Sequence, residues 1–179
     1  MHKPRDRRAA CGNDSHHRAY PASMQLPTAV RRRCFQVAYN VLRVYWFLRR
    51  PHHEGVKCVL TGDKGVLLVR HTYGPNVWEI PGGSVKRRED PALTATREVH
   101  EELGLDVADW TPIGQVLGGM DYRQDLLYCF QAAIGSPPIT PEPGEIAMAC
   151  WFAWHQLPQD IGRASAAVLV HACGARLSR

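Results

Sequence analysis

The spacing of hydrophobic and polar positions changes several times along the chain, and each change predicts a different element. From Ala29 to Leu48, polar residues recur every three or four positions, which is the period of an amphipathic helix. Short apolar runs bounded by Gly, Asp or Pro predict β-strands at 55–61, 65–70, 76–80, 110–116, 126–134 and 146–154. Helical spacing returns at 91–103 and 161–177. Strands on both sides of a central helix, with another helix at the end, predict a mixed β-sheet between helices, an α/β fold.

Basic residues are concentrated at the start of the chain. The first 50 positions hold 11 of the 22 Lys and Arg residues but only 2 of the 17 Asp and Glu residues. Residues 1–28 lack apolar periodicity, so we expect a disordered basic tail there, with Met24 a candidate for the true start of translation. An amphipathic helix at 29–50 and one folded domain at 51–179 are expected to follow.

The helix at 29–50 has several candidate partners. It is too interrupted by polar residues to span a bilayer, which needs ~20 apolar residues. We expect it to pack on its own domain or on the partner in a homodimer. Its flanking arginines, together with Trp46 near one end, also fit a helix that lies on a membrane surface. Contact with nucleic-acid phosphates is the third alternative.

The cysteines and the N-terminal composition bear on the compartment. Six cysteines are widely scattered, without a Cys-x-x-Cys pair or the Cys/His spacing of a zinc site. Reduced thiols in a cytoplasmic protein are therefore expected. The first 25 residues are charged and lack the apolar segment of a secretory signal, while their Arg-rich composition leaves organellar targeting open.

Three glutamates lie on successive turns of the predicted central helix, shortly after a Pro-Gly-Gly turn. Glu98, Glu101 and Glu102 are three or four residues apart or adjacent, so their side chains project together. Carboxylates held this close repel one another, and a hard divalent cation that prefers oxygen ligands relieves the repulsion. The spacing therefore predicts a site for Mg²⁺ or Mn²⁺. A solvated acidic surface is the simpler alternative for the three glutamates alone.

The same stretch resembles the Nudix box at every fixed position of that motif. Gly83 is followed after five residues by Glu89, and after seven more by Arg-Glu-Val-His-Glu-Glu-Leu-Gly-Leu at 97–105. The order of strands around it resembles a whole Nudix domain from about residue 55 onward. The resemblance implies a Nudix-type α/β/α sandwich. It also implies hydrolysis of a pyrophosphate within a nucleoside diphosphate linked to another group, by water that a divalent metal activates.

The resemblance further implies a role for each residue of the box. Glu98, Glu102 and the carbonyl of Gly83 are the expected metal ligands. Glu101 is expected to bind a further ion or to take the proton from water. Glu89 is expected to support the metal shell, and Arg97 to pair with a box glutamate and orient it.

Outside the box, four residues are candidates for catalysis or substrate binding, each with a simpler alternative. Glu145 resembles the loop glutamate that acts as base or extra ligand in some Nudix enzymes, or it is an ordinary loop acid. Arg70 is a candidate for a substrate phosphate or for a surface ion pair. Trp78 is a base-stacking candidate or a core residue. Tyr122 follows the box at a spacing that resembles the tyrosine of dinucleoside polyphosphate hydrolases.

The substrate is not readable from the sequence. A nucleotide-type small molecule is expected, and nucleoside triphosphates, nucleotide sugars, ADP-ribose and capped RNA 5′ ends all remain candidates. Nucleic acid is expected as a partner only in the form of such a capped RNA. The alternative function is a Nudix-fold module that senses a nucleotide without cutting it, although the intact set of carboxylates favours the enzyme.

Overall fold

The fold is a five-stranded mixed sheet with helices on both faces. The computed structural model describes residues 27–49, 52–118 and 124–177. The helices are α1 (Thr28–Arg49), α2 (Pro91–Leu103) and α3 (Arg163–Leu177), and the strands are β1 (His52–Gly62), β2 (Gly65–His71), β3 (Thr111–Gly118), β4 (Gln124–Ala133) and β5 (Ile146–Phe152). The strand order is β3-β4-β1-β2-β5, with β1 parallel to β4 and the other neighbours antiparallel. This confirms the predicted α/β fold with a mixed sheet.

Two apolar layers form the core, one on each face of the sheet. On one face α2 packs Ala95, Val99 and Leu103 against inward residues of β1 and β2. On the other face α3 packs Val168 and Leu169 against the alternate residues of the same strands. Because successive side chains of a strand point to opposite faces, the continuous apolar runs of β1 and β2 supply both layers.

The ends of α2 follow the sequence signals. Asp90 caps the first turn, and its carboxylate accepts a hydrogen bond from the Ala92 N–H at 2.7 Å. Pro91 takes the first helical position, where its missing N–H costs nothing. Gly104 ends the helix with φ 66°, a left-handed conformation that glycine adopts without strain. The carboxylate-bearing helix is therefore fixed at both ends.

The prediction of a strand at 76–80 is wrong. This segment forms only two isolated bridges, Val69 with Glu79 and Trp78 with Ile161. The two bridges join the segment to different elements, β2 on one side and the approach to α3 on the other. Its apolar residues are buried as the pattern indicated, but the chain does not continue along one neighbouring strand.

Helix α1 presents two different faces, and only one of them meets the domain. Arg31, Phe35, Tyr39 and Trp46 are half-buried and lie along one side of the helix. The outward stripe, as we call the opposite side, is exposed and consists of Val30, Val37, Val41, Val44 and Leu48. The helix, which was expected to pack on its own domain or on a homodimer partner, thus contacts the domain through aromatic residues and leaves its aliphatic side exposed. In the part of the chain that the structure describes, no helix is long and apolar enough to cross a membrane.

The expectation that every cysteine is a reduced thiol is also wrong. Cys150, a buried residue of β5, is disulfide-bonded. Cys34, Cys58 and Cys129 are free, the last two of them buried in the core. The predicted tail and Met24 lie outside the described residues, and both stay predictions.

Candidate active site

A glycine turn pressed against β1 forms one wall of the site. The Val56 N–H donates to the Gly83 carbonyl at 2.9 Å, and the Cys58 N–H donates to the Pro81 carbonyl at 2.8 Å. A Cβ added at Gly82 would lie 2.1 Å from the Val56 carbonyl oxygen, so no larger residue fits there. The turn therefore lies closer to β1 than it could if Gly82 carried a side chain. Its backbone faces α2.

The three helix glutamates occupy different environments. The side chain of Glu102 is 3% exposed, that of Glu98 is 14% exposed and that of Glu101 is 54% exposed. The helical spacing of the sequence predicts that Ala92, Ala95, Val99 and Leu103 form the buried side of α2 and that the carboxylates point elsewhere. For Glu102 this prediction is wrong, because Glu102 belongs to the buried side. A buried carboxylate needs hydrogen-bond partners, and these determine its orientation.

Glu102 is held by two groups from opposite sides. The His71 imidazole lies 3.2 Å from one carboxylate oxygen, Nε2 to Oε1, and the Gly82 N–H donates to the other oxygen at 3.2 Å. The Cys58 thiol lies in the buried layer nearby, and burial together with the Glu102 charge raises its pKa well above the usual range. Cys58 is therefore a neutral apolar neighbour and not a nucleophile.

Glu98 lies directly against the glycine turn. A Cβ at Gly83 would lie 2.2 Å from the carboxyl carbon of Glu98, so the carboxylate occupies the space that any side chain at 83 would fill. Burial raises the pKa of Glu98, and the charges of Glu102 and Glu101 raise it further, while Arg97 lowers it. The turn and the helix bring a carboxylate and a backbone carbonyl together.

Arg97 connects most of the acidic groups of the site. Its Nε and Nη2 donate to the two oxygens of Glu89 at 2.8 and 2.9 Å, a bidentate pair. Its Nη1 donates to Glu98 at 2.7 Å and to Glu101 at 3.1 Å, and Nη2 also reaches the Ser84 carbonyl. The Arg97 pair lowers the pKa of Glu89 to about 2. Arg97 pairs with box glutamates as expected, and Glu89 is its partner here, so a metal role for Glu89 stays a prediction.

Glu145 approaches the site on the loop before β5. The Thr72 N–H donates to the Glu145 carbonyl at 2.8 Å, which ties the loop to the end of β2 beside His71. Burial raises the pKa of the Glu145 carboxyl, and the charges of Glu102, Glu142 and Glu98 add to the rise. A carboxyl in this electrostatic environment lies near the helix glutamates, although the two segments are far apart in the sequence.

Two of the substrate-binding predictions outside the box are wrong. Arg70 pairs with Asp160 and donates to Asn76 at 3.0 Å, and its guanidinium lies 4.7 Å from the centre of the Trp78 ring. Trp78 is 7% exposed and packs edge-on against Phe152 in the core layer beneath α3. Both side chains belong to the α3 face of the sheet. Tyr122 lies outside the described residues and stays a prediction.

His71 and Tyr73 are site residues that sequence reasoning missed. Leu67 and Val69 of β2 face α2, so the alternation along the strand sends His71, and not Arg70, toward Glu102. The Tyr73 ring lies 5.3 Å from the His71 ring, and burial and nearby carboxylates raise its pKa. The strand alternation could have identified His71, but a loop residue such as Tyr73 gave no signal.

The donor set fits a hard divalent cation when the backbone is included. In the segments that the structure describes, no three His, Cys, Asp or Glu side chains converge on a point suited to a metal. Glu98 and Glu102 are two carboxylates, and the Glu98 carboxylate lies against the backbone of Gly83, whose carbonyl accepts a hydrogen bond from the Val56 N–H. Two carboxylates and a carbonyl, completed by water and substrate phosphate, are the oxygen ligands that Mg²⁺ takes.

Comparisons with known proteins agree with the fold and the motif. The family model described as NUDIX domain matches residues 51–173. The ADP-ribose pyrophosphatase of Mycobacterium tuberculosis is 41% identical over 75 residues, which are 39% of this chain and 34% of that protein. The RNA pyrophosphohydrolase of a Marinomonas species is 35% identical over 72 residues, 40% of this chain and 45% of that protein. The chain thus matches less than half the length of these two curated relatives.

A solved structure extends the agreement to three dimensions. The MutT NUDIX hydrolase of Burkholderia pseudomallei superposes with a TM-score of 0.63 at 25% identity, covering 67% of this chain and 97% of that one. Because the family model matches more than half of the sequence and the box is complete, this chain belongs to the Nudix hydrolase family.

Proposed function

We propose that this protein hydrolyses the pyrophosphate bond of a nucleoside diphosphate linked to a second group, using Mg²⁺ or Mn²⁺ held by Glu98, Glu102 and the Gly83 carbonyl. The observation that carries the proposal is the contact between the Glu98 carboxylate and the Gly83 backbone, beside the buried Glu102. Burial of a carboxylate costs folding free energy. Binding of a cation that prefers oxygen ligands would give these buried carboxylates a function.

The residues around the proposed ligands keep them in place. A bound divalent cation would neutralise pyrophosphate charge and lower the pKa of a coordinated water. His71 and the Gly82 N–H fix the orientation of Glu102, while Arg97 holds Glu98 and is itself held by Glu89. Partners of this kind restrict the rotation of a ligand and hold its oxygens in place.

The candidates for the base are Glu145 and Glu101, and the contacts favour Glu145. Glu101 is half exposed, and its carboxylate is already paired with Arg97. Glu145 is more buried, faces other carboxylates and lies on a loop tied to the end of β2. A carboxyl with a raised pKa accepts a proton more readily from water.

The substrate proposal is restricted to a chemical class. The names of the two curated relatives, ADP-ribose pyrophosphatase and RNA pyrophosphohydrolase, share a phosphoanhydride attached to a nucleoside. We propose that the same class applies here. ADP-ribose, a nucleotide sugar, a nucleoside triphosphate and RNA with a capped or triphosphate 5′ end form the assay panel.

The first test is this panel with Mg²⁺, Mn²⁺ or a chelator, measuring release of phosphate, pyrophosphate and mononucleotide. We expect wild-type turnover of at least one substrate and its loss on chelation. Glu102→Gln keeps the size but removes the charge, so we expect turnover to fall at least about 100-fold with an unchanged circular dichroism spectrum. Glu54→Gln, the same change at an exposed position outside the site, is the control.

Three outcomes would count against the proposal. Wild-type turnover by Glu102→Gln would remove its ligand role, and turnover in chelator would remove the metal. Binding of ADP-ribose without turnover of any substrate would favour the alternative of a nucleotide sensor. In the same assay, Glu145→Gln is expected to abolish the acid limb of the rate-against-pH curve, whereas Glu101→Gln is expected to keep it. The reverse result would assign the base to Glu101.

A further inference from the structure

Helix α1 lies outside the region that the family model matches, yet it contacts the loops that border the site. Arg31 pairs with Glu142 at 2.5 Å, and the Arg32 Nε donates to the Pro143 carbonyl at 2.9 Å. The Phe35 ring stacks on Tyr73 with centres 5.8 Å apart and planes 21° apart. The helix is thus attached both to the loop that carries Glu145 and to the end of β2.

The contacts form an unbroken series from the carboxylates to α1. Glu102 contacts His71, whose ring lies against Tyr73. Tyr73 lies against both Phe35 and Tyr39 of α1. The Tyr39 ring lies edge-on to the Trp46 ring, with ring centres 6.2 Å apart. A Cβ added at Gly74 would lie 3.3 Å from the Tyr39 ring, so Tyr39 also lies against Gly74. The inner face of α1 is therefore a row of aromatic rings that begins beside the proposed metal site.

A cavity of about 890 Å³ extends beneath this row. Phe35, Tyr39 and Trp46 line it on the α1 side, and Gly83 and His71 line it on the side of the carboxylates. The volume falls within the ~300–1,000 Å³ of pockets that bury small ligands. The cavity thus reaches the groups that contact the carboxylates, Gly83 beside Glu98 and His71 beside Glu102, and it also borders the flat apolar rings of α1.

We propose that α1 forms the nucleobase-binding wall of the active site, with the base of the substrate stacked on Phe35, the α1 ring nearest the carboxylates, while its pyrophosphate lies at Glu98 and Glu102. Aromatic side chains bind the faces of planar bases by stacking. The wall discriminates substrates that carry a base from phosphate esters that lack one. This inference rests on the proposed function for the position of the pyrophosphate.

The test compares two ligands that differ only in the base, AMP and ribose 5-phosphate, by calorimetric titration of the full chain with Mg²⁺. We expect wild-type protein to bind AMP at least about tenfold more tightly. Phe35→Leu keeps apolar volume but removes the ring, so it should weaken AMP about tenfold and leave ribose 5-phosphate unchanged. Phe35→Tyr, which keeps a ring, should retain most of the preference for AMP.

The matched control is Phe47→Leu, the same substitution on the same helix at an exposed residue that does not line the cavity. It should leave both affinities unchanged. Equal binding of AMP and ribose 5-phosphate by wild-type protein would overturn the inference even if the variants failed to fold. So would an equal loss of both ligands in Phe35→Leu.

The result separates this inference from the proposed function. Preferential binding of AMP without turnover of any substrate would support the wall and reject the hydrolase. Turnover by a protein that binds AMP no better than ribose 5-phosphate would support the hydrolase and reject the wall.

Discussion

At the scale of single residues, the site depends on one guanidinium that serves three carboxylates. Arg97 contacts Glu89, Glu98 and Glu101 within 3.1 Å, and its planar fork allows the bidentate pair with Glu89. A lysine would place one compact charge among the three groups and could not reproduce this geometry. Arg97 therefore offsets the repulsion among the box carboxylates. This is the same repulsion from which the sequence predicted a metal site.

Two adjacent glycines of the turn should respond differently to alanine. Gly83→Ala places a Cβ where the flexible Glu98 carboxylate lies, so we expect metal affinity to fall about 10- to 100-fold with little change in stability. Gly82→Ala meets the Val56 backbone and has φ 152°, so it should lower the thermal midpoint. Mn²⁺ titration and thermal unfolding measure the two effects. A Gly83→Ala protein as unstable as Gly82→Ala would contradict this assignment.

The sequence predicted the box residues well because their spacing alone brings them together. Residues three and four apart on a helix share a face in any fold, so the grouping of Glu98, Glu101 and Glu102 needed no tertiary information. Their burial depends on which side of α2 packs on the sheet, and the sequence reasoning misplaced Glu102 for that reason. The sequence analysis named Arg70 as the candidate on this strand, whereas the adjacent His71 lies at the site, because adjacent strand residues point to opposite faces.

At the scale of elements, the loop before β5 is held by one carboxylate with several partners. Glu142 accepts hydrogen bonds from the N–H groups of Gly144 and Glu145, each at 2.8 Å, and pairs with Arg31 of α1. The backbone N–H of Glu142 also donates to the Glu102 carbonyl. The position of Glu145 thus depends on α2 and α1 together.

Removing parts of this attachment should have graded effects on turnover. Glu142→Ala removes the acceptor of two loop amides, each contributing about 1 kcal/mol, so we expect roughly a tenfold or greater loss. Arg31→Ala removes a pair that is about a quarter exposed, worth at most about 1 kcal/mol, so the loss should stay within about fivefold. Arg33→Ala, an exposed neighbour on α1, is the control. Equal losses in Arg31→Ala and Arg33→Ala would show that the Arg31 pair is irrelevant.

Element types were predictable where periodicity was strong and unpredictable where tertiary contacts decide. The helices, the β1–β2 hairpin and the caps of α2 follow from local signals. The segment 76–80 has the composition of a strand but bridges two elements in turn. The orientation of α1 was not determined by its composition, because aliphatic and aromatic stripes lie on opposite sides and either could have faced the domain.

At the scale of the whole molecule, the outward stripe of α1 and four of the helix's five arginines are exposed on the surface. The helix carries five arginines and no acidic residue, and its aliphatic stripe is exposed along the full length. A basic helix with an exposed apolar face matches an anionic lipid surface in charge and polarity. Self-association of two such helices would bring like charges together, so the membrane surface is the partner that we predict.

Vesicle flotation tests this prediction on the full chain. We expect it to float with vesicles of phosphatidylcholine and phosphatidylserine but not with phosphatidylcholine alone, and to be released by high salt. Val41→Asp, in the middle of the outward stripe, should abolish flotation without changing turnover of a soluble substrate. Absence of flotation, with a dimer in sedimentation that Val41→Asp dissociates, would instead support the homodimer alternative.

Helix α1 precedes the stretch that the family model matches, and the box, the glycine turn and the sheet all lie within that stretch, which we call the hydrolytic module. The α1 segment contacts this module through the Arg31–Glu142 ion pair, the hydrogen bond from Arg32 to the Pro143 carbonyl and the aromatic contacts with Tyr73. Exchange of residues 28–49 between related proteins could therefore produce new substrate preferences while the hydrolytic module stays unchanged, which makes this segment the natural site for recombination in evolution and in engineering.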